Sequence, residues 1–255
     1  MMDNSVPILD FEHFSKFMDN CLSEAKKSET YPVYDPVLTD LYALYSRVRR
    51  EKSIAILEFG SGWSTLVLVK ALEENRISHG SWVSENIRHP NPYALMTIDC
   101  SEFFQKIACE RLEPYIGEIK LMPVISESSM SKVQGQTCHV FKDLPPFTAD
   151  FVYLDGPDCD QVNGTINGMT VNFGSSEHVY GLPMSADLYL LEHFFWPGTT
   201  IVTDGRGANA RFLKNIFKRN WKYFYDLQSD QHVFHLDEIP WGIYSSKLLD
   251  LKKVN

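Results

Sequence analysis

Four acidic side chains stand where predicted strands end, and this position gives them a common chemistry. The apolar segments of the chain end in Glu58, Asp99, Asp155 and Asp204. Parallel strands bring their carboxyl ends to one edge of a sheet, and open α/β sheets bind ligands outside that edge. We therefore expect the four carboxylates to share one rim, where they can bind hydroxyl groups, balance a positive charge or accept a proton.

The glycines that follow Glu58 narrow the class of ligand. Residues 57–65 read LEFGSGWST, so Gly60 and Gly62 allow close approach of the backbone to a bound molecule. A dinucleotide fingerprint has a third glycine, and a carboxylate just before the first glycine would repel a pyrophosphate. A ligand with a positive centre and a ribose fits better. We expect Asp99 to bind the ribose hydroxyls and Glu58 to order the charged end or its bound water.

The segments between these carboxylates alternate in type, which is typical of parallel strands joined by right-handed crossovers. Strands are predicted over residues 53–59, 93–99, 118–126, 149–155 and 199–204, with a short added strand at 137–141. Helices are predicted over residues 64–75, 101–112, 186–195 and 209–220. A terminal hairpin over 221–237 predicts an antiparallel edge. Two polar stretches, 76–92 and 156–185, are predicted to be long loops.

An N-terminal helical preface precedes this alternation. Apolar residues recur at helical spacing over residues 10–29, and a second helix is predicted from Pro36 to Arg50 with Asp35 as its N-cap. We therefore divide the chain into N-terminal helices, 1–52, that pack on the core, and a main unit, 53–255. The two parts are expected to form one structural unit.

Composition excludes several classes of protein. The 255 residues are 44% apolar and 22% charged, which is typical of a globular chain, and the formal charge of −9 argues against a nucleic-acid partner. No apolar run approaches the roughly 18 residues of a membrane span. Five cysteines without a CxxC pair favour neither a disulfide framework nor a zinc site. With no apolar signal segment near the N-terminus, the sequence predicts a soluble, cytoplasmic protein with reduced cysteines.

The order and spacing of four motifs resemble a known family. LEFGSGWST, TIDCS, ADFVYLDGPD and PGTTIVTDG are similar to the successive strand-end motifs of class I S-adenosylmethionine-dependent methyltransferases, over about residues 53–240. The part from Asp155 to Gly205 resembles small-molecule O-methyltransferases more weakly. The resemblance implies a Rossmann-like, doubly wound α/β sheet of about seven strands with an antiparallel last strand.

The same resemblance implies a cofactor site after the first, second and fourth strands of the sheet. Its expected S-adenosylmethionine-binding residues are Glu58, Gly60, Ser61, Gly62, Ser64, Thr65, Asp99, Cys100, Asp155, Gly156 and Pro157. Asp99 would bind the ribose, and Cys100 would lie beside the adenine. The distance from Gly62 to Asp99 exceeds the family's usual spacing, so residues 76–92 are expected to be an insertion, with Glu85 as a weaker alternative ribose ligand.

Proton removal from an acceptor hydroxyl is the chemical demand that methyl transfer places on the protein. Asp155 is the predicted base, Asp204 is its predicted neighbour, and His178, in the long loop after Asp155, is a further candidate. The two aspartates could instead hold a divalent cation. We expect no metal, because VTDGR lacks the Asp-Asn pair that metal-dependent members of the family carry there.

The function that these observations favour is S-adenosylmethionine-dependent methylation of a small polar molecule at oxygen, as in saccharide or natural-product biosynthesis. S-adenosylhomocysteine would be the product. An NAD(P)-dependent oxidoreductase and a non-catalytic nucleoside-binding module are the alternatives. The sequence leaves the acceptor, N- versus O-methylation and the oligomeric state open, and a homodimer is compatible with it.

Overall fold

The computed structural model describes residues 7–27, 35–158, 161–168 and 184–253, and a seven-stranded sheet forms its centre. The strands of this sheet are β1 Ala55–Phe59, β2 Ala94–Asp99, β3 Lys120–Ile125, β6 Phe151–Leu154, β9 Thr200–Thr203, β10 Trp221–Asp226 and β11 Gln231–Leu236. A smaller sheet contains β4 Ser128–Val133, β5 Gln136–Phe141, β7 Val162–Asn163 and β8 Met184–Ser185. The helices are α1 Phe11–Lys27, α2 Leu38–Arg50, α3 Trp63–Asn86, α4 Glu102–Leu112, α5 Asp187–Leu190, α6 Gly207–Ile216 and α7 Ile243–Lys253.

The order of the large sheet is β10-β11-β9-β6-β1-β2-β3. Parallel pairing joins β9, β6, β1, β2 and β3, whereas β11 is antiparallel to both of its neighbours. Every residue of β1, β2, β6 and β9 is buried, as expected for parallel strands that helices cover on both faces. This topology confirms the predicted doubly wound α/β sheet of seven strands with an antiparallel last strand.

The N-terminal helices share one apolar cluster with α3 and the central strands. Phe14 and Met18 of α1 and Leu44 of α2 are fully buried in this cluster. Polar contacts also join α2 to α3, since the Tyr45 hydroxyl donates to Glu74 over 2.6 Å and Arg49 pairs with the same carboxylate. Among the helices of the described residues, none combines the length and the apolar character that a bilayer span requires.

Helix α3 shows that the prediction of a loop over residues 76–92 is wrong for most of that range. The helix continues to Asn86, because Val83 is buried and Ile87, which caps the helix, packs with it in the core. Arg76 also pairs with Glu73, one turn earlier, at 2.7 Å. The polar composition of this stretch reflects the exposed surface of a long helix.

Other predicted boundaries differ where tertiary contacts outweigh local pattern. The helix predicted over 186–195 is the short α5 followed by a 3-10 turn at Glu192–Phe194. The buried Glu192 carboxylate accepts hydrogen bonds from the amides of Lys218 and Arg219, which draws the chain out of helical register. Helix α2 has Val37 as its N-cap instead of the predicted Asp35. The sequence analysis did not predict β4 or α7.

The smaller sheet holds the two ends of the long segment that follows β6. Its order is β7-β4-β5-β8, so the β4–β5 hairpin lies between two short strands of that segment. Val162 and Asn163 pair with Ser128 and Ser129, and Met184 pairs with Cys138. Most of the loop predicted over 156–185 lies outside the described residues, but its described ends are fixed against the hairpin.

Backbone contact between two glycines joins the turns after β1 and β6. A Cβ atom added to Gly156 would lie 2.7 Å from the Cα atom of Gly60. Gly60 itself has a φ angle of +92°, a backbone conformation that residues with a Cβ atom rarely adopt. The two turns can therefore approach this closely only because both positions lack a side chain.

We expect Gly156→Ala to lower the free energy of unfolding by roughly 1–3 kcal/mol, because the added methyl group overpacks the backbone of Gly60. Urea denaturation measures this change. Gly242→Ala is the matched control, since nothing lies within 4 Å of a Cβ added at Gly242. Equal stability of the two variants would contradict the predicted contact.

Candidate functional site

A cleft of about 440 Å³ opens at the carboxyl ends of β1, β2 and β6. Eight of the residues predicted from sequence line it, namely Gly60, Ser61, Gly62, Ser64, Asp99, Asp155, Gly156 and Pro157. The turn before α2 and the start of that helix form a further wall that includes Asp35 and Asp40. The cleft thus lies at the rim that the strand-end carboxylates predict.

The described lining of the cleft is acidic. It includes five aspartates and no lysine, arginine or histidine; the aspartates are Asp35, Asp40, Asp99, Asp155 and Asp158. Walls of low dielectric concentrate the field of such charges within a cleft. The lining therefore favours a ligand with a positive centre over one with a phosphate.

Asp99 ends β2 and turns its carboxylate back towards the glycine turn. Its Oδ2 atom accepts a hydrogen bond of 2.6 Å from the amide of Ser61, and its Oδ1 atom accepts one of 2.7 Å from the amide of Ser101. Desolvation raises the pKa of Asp99, and these hydrogen bonds oppose the rise. Each carboxylate oxygen has a second lone pair, so both can still accept a hydroxyl group.

The alternative ribose ligand, Glu85, lies elsewhere. It is exposed near the C-terminal end of α3, whereas residues 94–99 form the strand that ends at the cleft. The structure thus rejects the alternative position of the second strand.

The amides of the turn that leads into α3 already have partners within the protein. The amide of Gly62 donates to the Thr65 hydroxyl over 2.9 Å, and the amide of Gly60 donates to the carbonyl of Ile98 over 2.8 Å. With Ser61 bound to Asp99, three successive amides of the turn are engaged. These three amides are therefore not open to an anion in the way that a phosphate-binding glycine turn requires.

Glu58 and Thr65 lie beneath the cleft instead of lining it, which differs from the predicted direct contact with a ligand. Both are fully buried, and Glu58 accepts hydrogen bonds from the Ser64 hydroxyl over 2.6 Å and the Thr65 hydroxyl over 2.8 Å. Desolvation raises the pKa of Glu58 to about 7, against the effect of these hydrogen bonds. Glu58 therefore ties the end of β1 to the start of α3 and carries a titratable proton near neutrality.

Asp155, Asp204 and Arg206 form a group beside the cleft. The Arg206 guanidinium donates from Nε to Asp204 over 2.6 Å and from Nη2 to Asp155 over 3.1 Å. The Tyr153 hydroxyl donates to the second Asp155 oxygen over 3.2 Å. Desolvation and the charge of Asp204 raise the pKa of Asp155, while Arg206 lowers it. The Asp155 side chain remains 43% exposed, so solvent moderates these effects.

The remaining predicted residues differ in position. Cys100 is half-buried next to Asp99, but it is not part of the described lining of the cleft. His178 lies outside the described residues. His139 is buried on β5 within 3.1 Å of the Ser128 hydroxyl, and desolvation lowers its pKa to about 3, so it is a neutral structural histidine.

Several lining residues had not been predicted from sequence. Trp63, Phe104, Tyr153 and Gln161 all face the cleft. The position of Tyr153 could have been predicted from sequence. Residues two apart on a strand share a face, and Tyr153 precedes Asp155 by two. The place of the residues before α2 could not have been predicted in this way, since it depends on how the N-terminal helices pack.

A second cavity, of about 450 Å³, lies between α2 and the turn after β10. Arg47, Arg50, Glu51 and Asp226 are among its lining residues, and none of the four strand-end carboxylates contributes to it. The chemistry predicted from sequence therefore belongs to the cleft, although the two cavities are of similar size.

Comparison with known proteins finds solved structures that are similar to this chain. No protein-family model and no curated protein sequence matches the chain. An O-methyltransferase from Bacillus cereus in complex with SAH is 16% identical, with 91% of this chain and 92% of that chain covered and a TM-score of 0.48. The O-methyltransferase TomG from Streptomyces achromogenes, in complex with SAM, is 14% identical, with 90% and 100% covered and a TM-score of 0.49. The SAH-bound methyltransferase PaMTH1 from Podospora anserina is 11% identical, with 92% and 91% covered and a TM-score of 0.48.

Glu58 should make stability depend on pH. Its pKa is about 7 in the folded protein and near 4.5 in the unfolded chain, so the folded state binds more protons between these values. Stability from this group is present below pH 4.5 and is lost as pH rises through 7. The free energy of unfolding of the wild type, minus that of Glu58→Gln, should therefore fall by roughly 1–3 kcal/mol between pH 5 and pH 8.

Urea denaturation across this pH range measures the difference. Glu85→Gln, at an exposed carboxylate of α3, is the control variant with the same chemical change. A flat difference for Glu58→Gln would show that Glu58 is ionised throughout.

Proposed function

We propose that the protein is an S-adenosylmethionine-dependent methyltransferase that methylates a small polar molecule at oxygen. The observation that carries this proposal is the acidic cleft at the ends of β1, β2 and β6, in which Asp99 stands beside the glycine turn. S-adenosylmethionine has a sulfonium and an ammonium group together with a ribose. A cleft that offers carboxylates and no cation in its described lining suits that combination.

The cofactor would lie along the turn from Gly60 to Ser64. Gly62 has nothing nearer than the Ser64 hydroxyl, 4.0 Å from an added Cβ, so the backbone is open to a ligand there. Asp99 would accept hydrogen bonds from the ribose hydroxyls, with its carboxylate already oriented by two amides. Asp35, Asp40 and Asp158 would balance the positive charges. Glu58 would act indirectly, by fixing Ser64 through its hydrogen bond.

Asp155 is the group that we assign to proton removal from the acceptor. It lines the cleft, and Tyr153 and Arg206 hold its two oxygens in a defined orientation. A base works best when its pKa lies near the working pH, and desolvation with the charge of Asp204 moves the pKa of Asp155 in that direction. The methyl group itself passes in line from sulfur to oxygen, a step that depends mainly on positioning.

An NAD(P)-dependent oxidoreductase fits these observations less well. Pyrophosphate binding uses open amides of a glycine-rich turn together with the helix N-terminus that follows it, whereas the turn amides of Gly60, Ser61 and Gly62 have partners within the protein. A non-catalytic nucleoside-binding module would have no need for the group of Asp155, Asp204 and Arg206. This group favours an enzyme, because carboxylates with raised pKa in a cleft are typical of catalytic sites.

The proposals for the acceptor class, the cellular location and the oligomeric state rest on the sequence. The formal charge of −9 favours a small-molecule acceptor over a nucleic acid. We keep the cytoplasm as the proposed location, and both the place of His178 near the acceptor and a homodimeric state remain predictions.

Binding of S-adenosylhomocysteine should raise the melting temperature, since a ligand of the folded state stabilises it by mass action, and NADH should not. Asp99→Ala should weaken this binding by roughly 1–3 kcal/mol through loss of a charge-assisted hydrogen bond. Titration calorimetry measures the affinities, and Glu85→Ala is the control with unchanged affinity. Tighter binding of NADH than of S-adenosylhomocysteine would end the methyltransferase proposal.

Replacement of Asp155 tests the assigned base. Asp155→Asn keeps the shape of the side chain but removes the basic site, so single-turnover methyl transfer should fall by about 10²–10⁴-fold. The affinity for S-adenosylhomocysteine should stay within a few-fold of wild type. A wild-type rate at saturating cofactor would refute the role of Asp155 and leave the cofactor proposal standing.

A further inference from the structure

Three protein oxygens surround the guanidinium group of Arg206. Its Nε atom lies 2.6 Å from Asp204 Oδ2, its Nη2 atom 3.1 Å from Asp155 Oδ1, and its Nη1 atom 3.4 Å from the carbonyl oxygen of Pro157. Asp155 and Pro157 belong to the turn after β6, and Asp204 and Arg206 to the turn after β9. The guanidinium therefore bridges the ends of two neighbouring parallel strands.

This set of oxygens has the chemistry of a divalent-cation site. Carboxylate and carbonyl oxygens are the ligands of Mg²⁺ and Ca²⁺, at about 2.0–2.1 Å for Mg²⁺. Here the guanidinium fills the space between the oxygens and makes a hydrogen bond with each of them. An arginine side chain stays protonated at all physiological pH values, so the positive charge is permanent.

We infer that Arg206 is a built-in cation of the reaction centre, and that its guanidinium takes the place of a divalent metal ion between Asp155 and Asp204 and positions Asp155 as the base. The inference rests on the proposed methyl transfer. It goes beyond that proposal by assigning the source of positive charge and by predicting that transfer proceeds without a metal.

The step balances with this cation in place. Asp155 takes the proton of the acceptor hydroxyl, and the oxygen forms a bond to the methyl carbon. The bond from that carbon to sulfur breaks, and the sulfonium keeps the electron pair as a neutral thioether. Arg206 touches neither the methyl group nor the cofactor in this scheme, so it is a positioning residue that favours the ionised form of Asp155.

Several other titratable groups act on the two aspartates and Arg206. They are Tyr153 on β6, Asp158 in the following turn, His139 on β5 and His232 on β11, while Asp230, just before β11, lies beside Gly205 and acts on His232. Burial lowers the pKa of both histidines, so neither adds a positive charge near neutral pH. The charge of Arg206 therefore has no equivalent among these groups.

The pH dependence of single-turnover transfer, at saturating S-adenosylmethionine, separates this role from a structural one. In Arg206→Gln the rate at neutral pH should fall by up to about tenfold, and the midpoint of the acidic limb, where the rate rises as Asp155 ionises, should rise by about one pH unit, because an adjacent opposite charge lowers a carboxylate pKa by about that much or more. Arg206→Lys retains a cation and should restore most of the midpoint. A rate that falls equally at every pH, with an unchanged midpoint, would overturn the inference.

Manganese binding, followed by electron paramagnetic resonance, tests the same inference without any turnover. Arg206→Ala should bind one more Mn²⁺ ion than wild type, because the three oxygens are vacated, and Arg206→Ala/Asp204→Asn should lose that ion. Added Mn²⁺ should also raise the transfer rate of Arg206→Ala and leave the wild-type rate unchanged.

Wild-type protein carries the test even if Arg206→Ala does not fold. Wild type and Asp204→Asn should bind the same number of Mn²⁺ ions. A chelator should leave the transfer rate of wild type unchanged. A Mn²⁺ ion that wild type binds and Asp204→Asn does not, or loss of transfer with chelator, would overturn the inference. The proposed function fails separately, through absence of S-adenosylhomocysteine binding.

Discussion

The backbone contact of Gly60 with Gly156 is the constraint on which the site depends. It lets the turns after β1 and β6 meet without intervening side chains, so the glycine turn and the turn that carries Asp155 form one surface. Hydrogen bonds extend the constraint, since the Asp155 amide donates to the carbonyl of Phe59 over 2.9 Å. A side chain at either glycine would push apart the two turns that line the cleft.

Three carboxylates at the strand ends differ in exposure and in the contacts that they make. Glu58, without exposure to solvent, fixes the start of α3 through Ser64 and Thr65. Asp99 is buried but lines the cleft, and Asp155 is partly exposed. All three pKa values are raised mainly by desolvation. Increasing exposure thus accompanies a change from support, through binding, to the proposed proton transfer.

The sequence predicted what local pattern determines. Fully apolar segments that end in acidic residues identified the parallel strands and their rim, because strands buried on both faces are continuous apolar runs. The resemblance of the strand-end motifs to a known family supplied the predicted residues of the site, eight of which line the cleft. The sequence could not show that Glu58 lies beneath the cleft, since its exposure depends on how α3 packs. It also could not place Asp35 and Asp40 in the wall of the cleft, since their position depends on how the N-terminal helices pack. The sequence did not predict that α3 continues past residue 76, because the exposed residues of this part of the helix are polar like those of a loop.

The small sheet separates the anchors of one chain segment from the strands at the cleft. The segment after β6 leaves the hairpin at Asn163 and returns to it at Met184, on opposite sides. These two ends pair with β4 and β5, whereas the cleft opens at the carboxyl ends of β1, β2 and β6. A change in the number of residues between Asn163 and Met184 therefore requires no new pairing in the large sheet, so the chain can gain or lose residues there while the strands at the cleft keep their register.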